Sequence, residues 1–199
     1  MMKKVSKWLA PVGLLLLVVY ACEPDYAPRP KEYPFIPIPE PAYQTFTADN
    51  CPFTFEQSAY SEVFRDSQIF AFKPGNDCWV NLHYPDYDAT IYLSYKELSA
   101  DYTLQQLKND AHELTYKHTQ KADVIEPVFY ETPFNVFGLV YNVGGDAASA
   151  TQFFVTDTVS HWLRGSLYFR TTPNADSLAP VIDFINHDIE HLIETLQWE

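Results

Sequence analysis

From Ala89 to Tyr95 the chain alternates, with Ala89, Ile91, Leu93 and Tyr95 set against Thr90, Tyr92 and Ser94. A period of two predicts a strand with one buried face. Phe53-Thr54-Phe55 and residues 78–84 are predicted strands as well, as are 124–130, 134–143, 152–156 and 161–171. Pro133, the Gly144-Gly145-Asp146 triplet and Asp157-Thr158 separate the later ones as turns. Two segments change to helical spacing. Thr103 and Gln106 form a capping-box pattern ahead of Leu104, Leu107, Ala111, Leu114 and His118. A second helix starts near Ser177, and Leu178, Val181, Ile182, Ile185, Ile189, Leu192, Ile193 and Leu196 form its apolar stripe. Pro180 is tolerated there in a first turn. Strands, helix, four strands, helix, joined late in the chain by hairpin-length turns, predict an α+β domain. Its sheet is mostly antiparallel and covered by helices.

The domain predicted from this pattern spans 49–199, and what precedes it has other roles. Lys3, Lys4 and Lys7 lead an apolar run from Trp8 to Ala21 that is shorter than the roughly 20 residues of a bilayer span, so residues 1–21 read as a signal peptide. The run ends in Ala21-Cys22, a lipobox-like junction that predicts cleavage before Cys22 and a lipid on its thiol. Residues 22–48 then form a tether, with seven of the chain's 15 prolines between Glu23 and Tyr43. Proline at that density favours extended polyproline geometry. Tyr33, Phe35, Ile36 and Ile38 are too apolar for a solvated spacer, so the tether's distal half is expected to pack on the domain.

Charge narrows the function classes. The chain has 13 Lys and Arg against 26 Asp and Glu; loss of three leader lysines leaves 10 against 26, or −16. With basic residues few and scattered, nucleic acid is excluded as a partner. The remaining cysteines, Cys51 and Cys78, are a disulfide candidate in an oxidising envelope compartment. Closing that 28-residue loop is worth about 3–4 kcal/mol in the chain-entropy model.

No constellation assembles a catalytic site. Asp183, His187 and His191 recur at spacings of four, but His187 lies about 180° from the centre of the apolar stripe, so they read as a solvated face rather than a metal site. Ser149, Asp157 and His161 lack the G-x-S-x-G context of a nucleophilic triad. Gly144-Gly145-Asp146 lacks the Lys and Ser/Thr of a P-loop and fits a hairpin turn with positive φ. No cofactor or metal is expected. In 161–168 the alternation puts Trp162, Arg164, Ser166 and Tyr168 on one face. Trp, Tyr and Arg are the residue types that dominate binding hot spots, so Trp162, Arg164 and Tyr168, with Asp146 in the nearby turn, are predicted partner-binding residues.

The runs CPFTFE (51–56), CWVNLHYPDYDATIYLSYK (78–96), YKHTQKADVI (116–125), GGDAAS (144–149), QFFVTD (152–157), HWLRGSLYF (161–169) and PNADSLAPVIDFINHDIEHLIETLQW (173–198) resemble the gliding motility lipoprotein GldD family of the Bacteroidetes. The resemblance covers nearly all of the mature chain, with Asp146 where related sequences tend to have Asn. It implies a non-enzymatic envelope lipoprotein needed for gliding, an accessory or assembly factor whose partners are other gliding and type IX secretion envelope proteins. It also implies a lipid anchor in the outer membrane facing the periplasm, and no catalytic residue. The element order resembles a PsbP-like α/β/α sandwich. The alternative function class is a glycan- or peptidoglycan-binding or hydrolytic envelope domain, which needs paired carboxylates facing each other across a cleft.

Overall fold

The computed structural model describes residues 36–47, 51–64, 78–117 and 121–199. The signal peptide, Cys22, the proximal tether and His118 lie outside these residues. The strands are β1 (Tyr43–Phe46), β2 (Phe53–Ser58), β3 (Glu62–Phe64), β4 (Trp79–Tyr84), β5 (Ala89–Glu97), β6 (Ala122–Glu131), β7 (Phe137–Gly145), β8 (Ser149–Thr156), β9 (His161–Phe169) and β10 (Gln197–Trp198). Among the described residues are two α-helices, α1 (Leu104–Tyr116) between β5 and β6 and α2 (Ala175–Thr195) between β9 and β10.

Seven strands form one sheet in the order β3-β4-β5-β9-β8-β7-β6, and every pair in it is antiparallel. A smaller sheet, β1-β2-β10, is antiparallel too. The fold is α+β, as the pattern predicted. One face of the large sheet packs against α2 and the small sheet through Val80, Leu82, Ile91, Leu93, Phe153 and Leu163, which meet Ile185, Ile189 and Leu192. The other face carries α1 over Tyr141, Phe154 and Trp162.

Local chemistry sets these elements. Thr103 Oγ1 accepts from the Gln106 amide at 3.3 Å and Gln106 Oε1 accepts from the Thr103 amide at 3.2 Å, closing the predicted capping box. Along α1 the buried residues are Leu107, Ala111 and Thr115, while Leu114 is exposed. The hydroxyl of Thr115 bonds back to the Ala111 carbonyl at 2.8 Å, which lets a polar residue occupy the inward position. Asn174 caps α2 by accepting from the Ser177 amide. The helix therefore begins before Ser177 and Pro180 falls in its second turn, where it supplies no N–H to the ladder. Strand β7 begins at Phe137 rather than at Phe134, because Asn135 takes a left-handed conformation at φ 57° and turns the chain.

The body extends further toward the N-terminus than position 49. Four-residue β1 pairs with β2, and Phe46, 5% exposed, stacks on Phe55 with ring centroids 4.6 Å apart. Ahead of β1, Tyr87 donates to the Pro37 carbonyl and Tyr60 to the Glu40 carbonyl, both at 3.0 Å. Ile36 packs against the main core. The described part of the distal tether thus lies on the domain through Ile36 and its carbonyls, while Ile38 is exposed and Tyr33 and Phe35 lie outside the described residues.

Candidate interaction surface

The alternation along β9 puts Trp162 and Arg164 on the α1 side, but the surface they were predicted to form is covered. Trp162 is 2% exposed and stacks on Phe154 at 4.4 Å between ring centroids. It belongs to the small core with Leu107 and Ala111, so its assignment as a partner-binding residue is corrected. A helix laid over one sheet face turns an aromatic stripe into core. Arg164 Nη2 donates to Gln152 Oε1 at 2.6 Å, and burial lowers its pKa. Tyr168 is half-buried in an edge-to-face contact with Tyr92. Asp146 is exposed, and its Oδ1 accepts from the Ala175 amide at 3.0 Å. That bond ties the β7–β8 turn to the start of α2 and gives Asp146 a structural task. Gly145 supplies the positive φ, 89°, that this turn was predicted to need.

The three residues weighed as a triad are separately engaged. Ser149 is fully buried and donates to the Thr151 carbonyl at 3.3 Å. Asp157 Oδ1 accepts from the amides of Val159, Ser160 and His161 at 2.7–3.0 Å. Burial pushes this carboxyl up, but the three amides outweigh it and hold its pKa below the usual value. His161 Nδ1 lies 2.8 Å from the Tyr95 hydroxyl, and its ring stacks on Trp198.

Along α2 the two histidines part company. His187 is exposed, with Nδ1 2.7 Å from the Asp183 carbonyl oxygen. His191 turns toward the small sheet, where Nε2 meets Glu56 Oε2 at 2.7 Å and the ring stacks on Tyr43 at 3.6 Å.

Sequence reading missed two features. The first is Asp188, 3% exposed, on the same inward face as Val181, Ile185 and Leu192. Tyr84 donates to its Oδ2 at 3.0 Å, Tyr43 and Ser58 flank it, and Oδ1 has no hydrogen-bond partner among the described residues. Burial raises the Asp188 pKa against the lowering effect of those hydroxyls and His191. Burial and the same carboxyl also push Tyr84 far above its ordinary value. The signal was present as an acid at helical spacing within an apolar stripe. The second feature is a groove of about 420 Å³ between α1 and the β6 end of the sheet. Leu104 and Lys108 of α1 line it with Phe129 and Glu131 of β6, Leu139 of β7 and Phe154 of β8. Phe129 is 81% exposed on a terminal strand. No sequence pattern states which strand ends a sheet.

Cys51 and Cys78 are both buried thiols in the main core, and the expected bridge is not formed in this structure. Each is packed as a small apolar residue. Both lie near Tyr95, whose pKa is pushed up to about 12 by burial, then Glu97, with smaller contributions from the two thiols.

These features define a small α+β body with an apolar groove at its sheet edge. The chain belongs to the gliding motility lipoprotein GldD family, whose model matches residues 23–198. Membership makes it a lipid-anchored protein of the cell envelope with a role in gliding motility. Among curated proteins no relative matches. Among solved structures it is similar to cyanobacterial PsbP (CyanoP) from Synechocystis sp. PCC 6803, determined in solution. That alignment has a TM-score of 0.44 and 12% identity over 79% of this chain and 92% of that one.

Proposed function

We propose that this lipoprotein is a non-enzymatic accessory or assembly factor of the type IX secretion machinery, acting by contact with other envelope proteins. Cys22 carries its lipid after removal of the signal peptide, and the body faces the periplasm from the outer membrane. The observation that carries the contact reading is the apolar groove beside β6, lined by one carboxylate, Glu131, with Lys108 opposite in charge. Glycoside hydrolysis uses two facing carboxylates, and this groove supplies one. Apolar concavities beside exposed aromatics are what protein contacts use.

The test replaces the polar groups nearest to chemistry. His161→Ala and Asp157→Asn, shown by circular dichroism to be folded, are expected to retain gliding and secretion. A folded, abundant variant still bound to its partners but devoid of function would overturn the contact reading. Cys22→Ser is expected to abolish labelling by a fatty-acid analogue and release the protein from membranes; unchanged labelling would refute the anchor.

A further inference from the structure

We infer that the second half of the β6 edge, residues 128–131, and the groove beside it capture an extended segment of a partner protein carrying one large apolar side chain flanked by Lys or Arg. The inference rests on the contact reading above and specifies its surface and partner chemistry.

Three observations converge on this surface. First, β6 ends the seven-stranded sheet, so its outer main-chain groups have no strand partner among the described residues. Such an edge is a template for another strand unless it is blunted. Pro127 blunts it at one position by removing an N–H donor, which separates residues 128–131 from the preceding half. Second, this half of the edge is apolar and open, with Phe129 81% and Val128 40% exposed. Phe129 lines the groove together with Leu104, Leu139 and Phe154. A strand added about 4.8 Å beyond β6 projects alternate side chains toward the face that holds the groove. One large apolar side chain there would cover Phe129 and enter the 420 Å³ space. Third, Glu131 lies in this half and Glu126 stands just before Pro127, both exposed, and β6 carries no basic residue; the groove's one cation, Lys108, belongs to α1. An incoming acidic strand meets like charges across the pair, whereas Lys or Arg meets opposite ones. Charge therefore selects the partner while the groove anchors it.

The test uses the full lipidated chain in phosphatidylcholine nanodiscs, with empty discs as the lipid control. The probe is a nine-residue peptide of alternating threonine and valine with a central phenylalanine and a lysine at each end. It is expected to bind and to slow amide hydrogen exchange at residues 128–131. Binding is expected to weaken at least tenfold when glutamates replace the lysines, when serine replaces the phenylalanine, or when the protein carries Phe129→Asp. Val159→Asp, at an apolar position 76% exposed in the β8–β9 turn, is expected to leave binding unchanged. Absence of binding, equal binding of the glutamate peptide, or protection elsewhere would overturn the inference. So would a concentration-dependent dimer abolished by Phe129→Asp, which would assign the groove to a second copy, or equal binding to empty discs. The two readings fail separately. If Phe129→Asp loses peptide binding but still glides, the surface stands and its part in motility falls. If the peptide never binds yet folded Phe129→Asp cannot glide, this partner chemistry falls and the contact reading stands.

Discussion

Asp188 and Trp162 illustrate how one side chain's position decides its work. Asp188 sits on the inward face of α2, where burial disfavours its charged form. Its folded pKa lies above the ordinary aspartate value of about 3.9. An acid raised in this way contributes its full stability below that value and loses it as pH rises through the folded pKa. Asp188→Asn keeps an acceptor for Tyr84 and cannot ionise. The variant is therefore expected to gain stability relative to the natural protein between pH 4 and pH 7, read as urea midpoints at both. A difference that does not change with pH would remove Asp188 from the buried-acid role. Trp162→Ala is expected to cost about 3–5 kcal/mol of stability by emptying the space under α1, measured by urea unfolding. A loss below about 1 kcal/mol would return Trp162 to the surface. The alternation along β9 correctly grouped Trp162 with Arg164, Ser166 and Tyr168. It did not say which sheet face receives a helix, because that depends on where Leu107 and Ala111 of α1 come to rest.

At the scale of elements, strong periodicity and strong caps were readable and short pairings were not. The β5 alternation, the Thr103–Gln106 box and the α2 stripe each sum many local preferences, and all three elements form, with α2 starting at Ala175, ahead of the predicted Ser177. Strands β1, β3 and β10 have four, three and two residues, too few for a period, and β1 and β10 exist because β2 lies between them. The β8–β9 turn holds a correctable cost. Thr158 sits at φ 69°, a conformation that burdens a β-branched residue by about 1–2 kcal/mol and leaves glycine unstrained. Thr158→Gly is expected to raise stability by about 0.5–1 kcal/mol after glycine's own entropy loss, seen as a higher urea midpoint with an unchanged slope.

At the scale of the whole molecule, the lead-in from residue 36 decides where the folded body begins. The proline-rich composition predicted a tether to residue 48, and proline does keep residues 36–42 out of regular structure. The same residues are nevertheless seated, because their carbonyls accept from Tyr60 and Tyr87 and β1 completes the small sheet. Composition reports the absence of helix and strand, not the absence of contact. A chain starting at Pro34 keeps every one of these contacts, and a chain starting at Asp49 loses them all. Without β1, the buried side chain of Phe46 is gone, Phe55 loses its stacked neighbour and β2 gains an open edge. Burial of a phenylalanine alone is worth about 1.5–3 kcal/mol. His191 would also lose the Tyr43 ring stacked upon it. The shorter chain is therefore expected to be at least about 3 kcal/mol less stable by urea unfolding, and prone to pair through β2. Equal midpoints for the two chains would show that residues 34–48 are tether after all, and that the seating of Phe46 adds nothing to the fold.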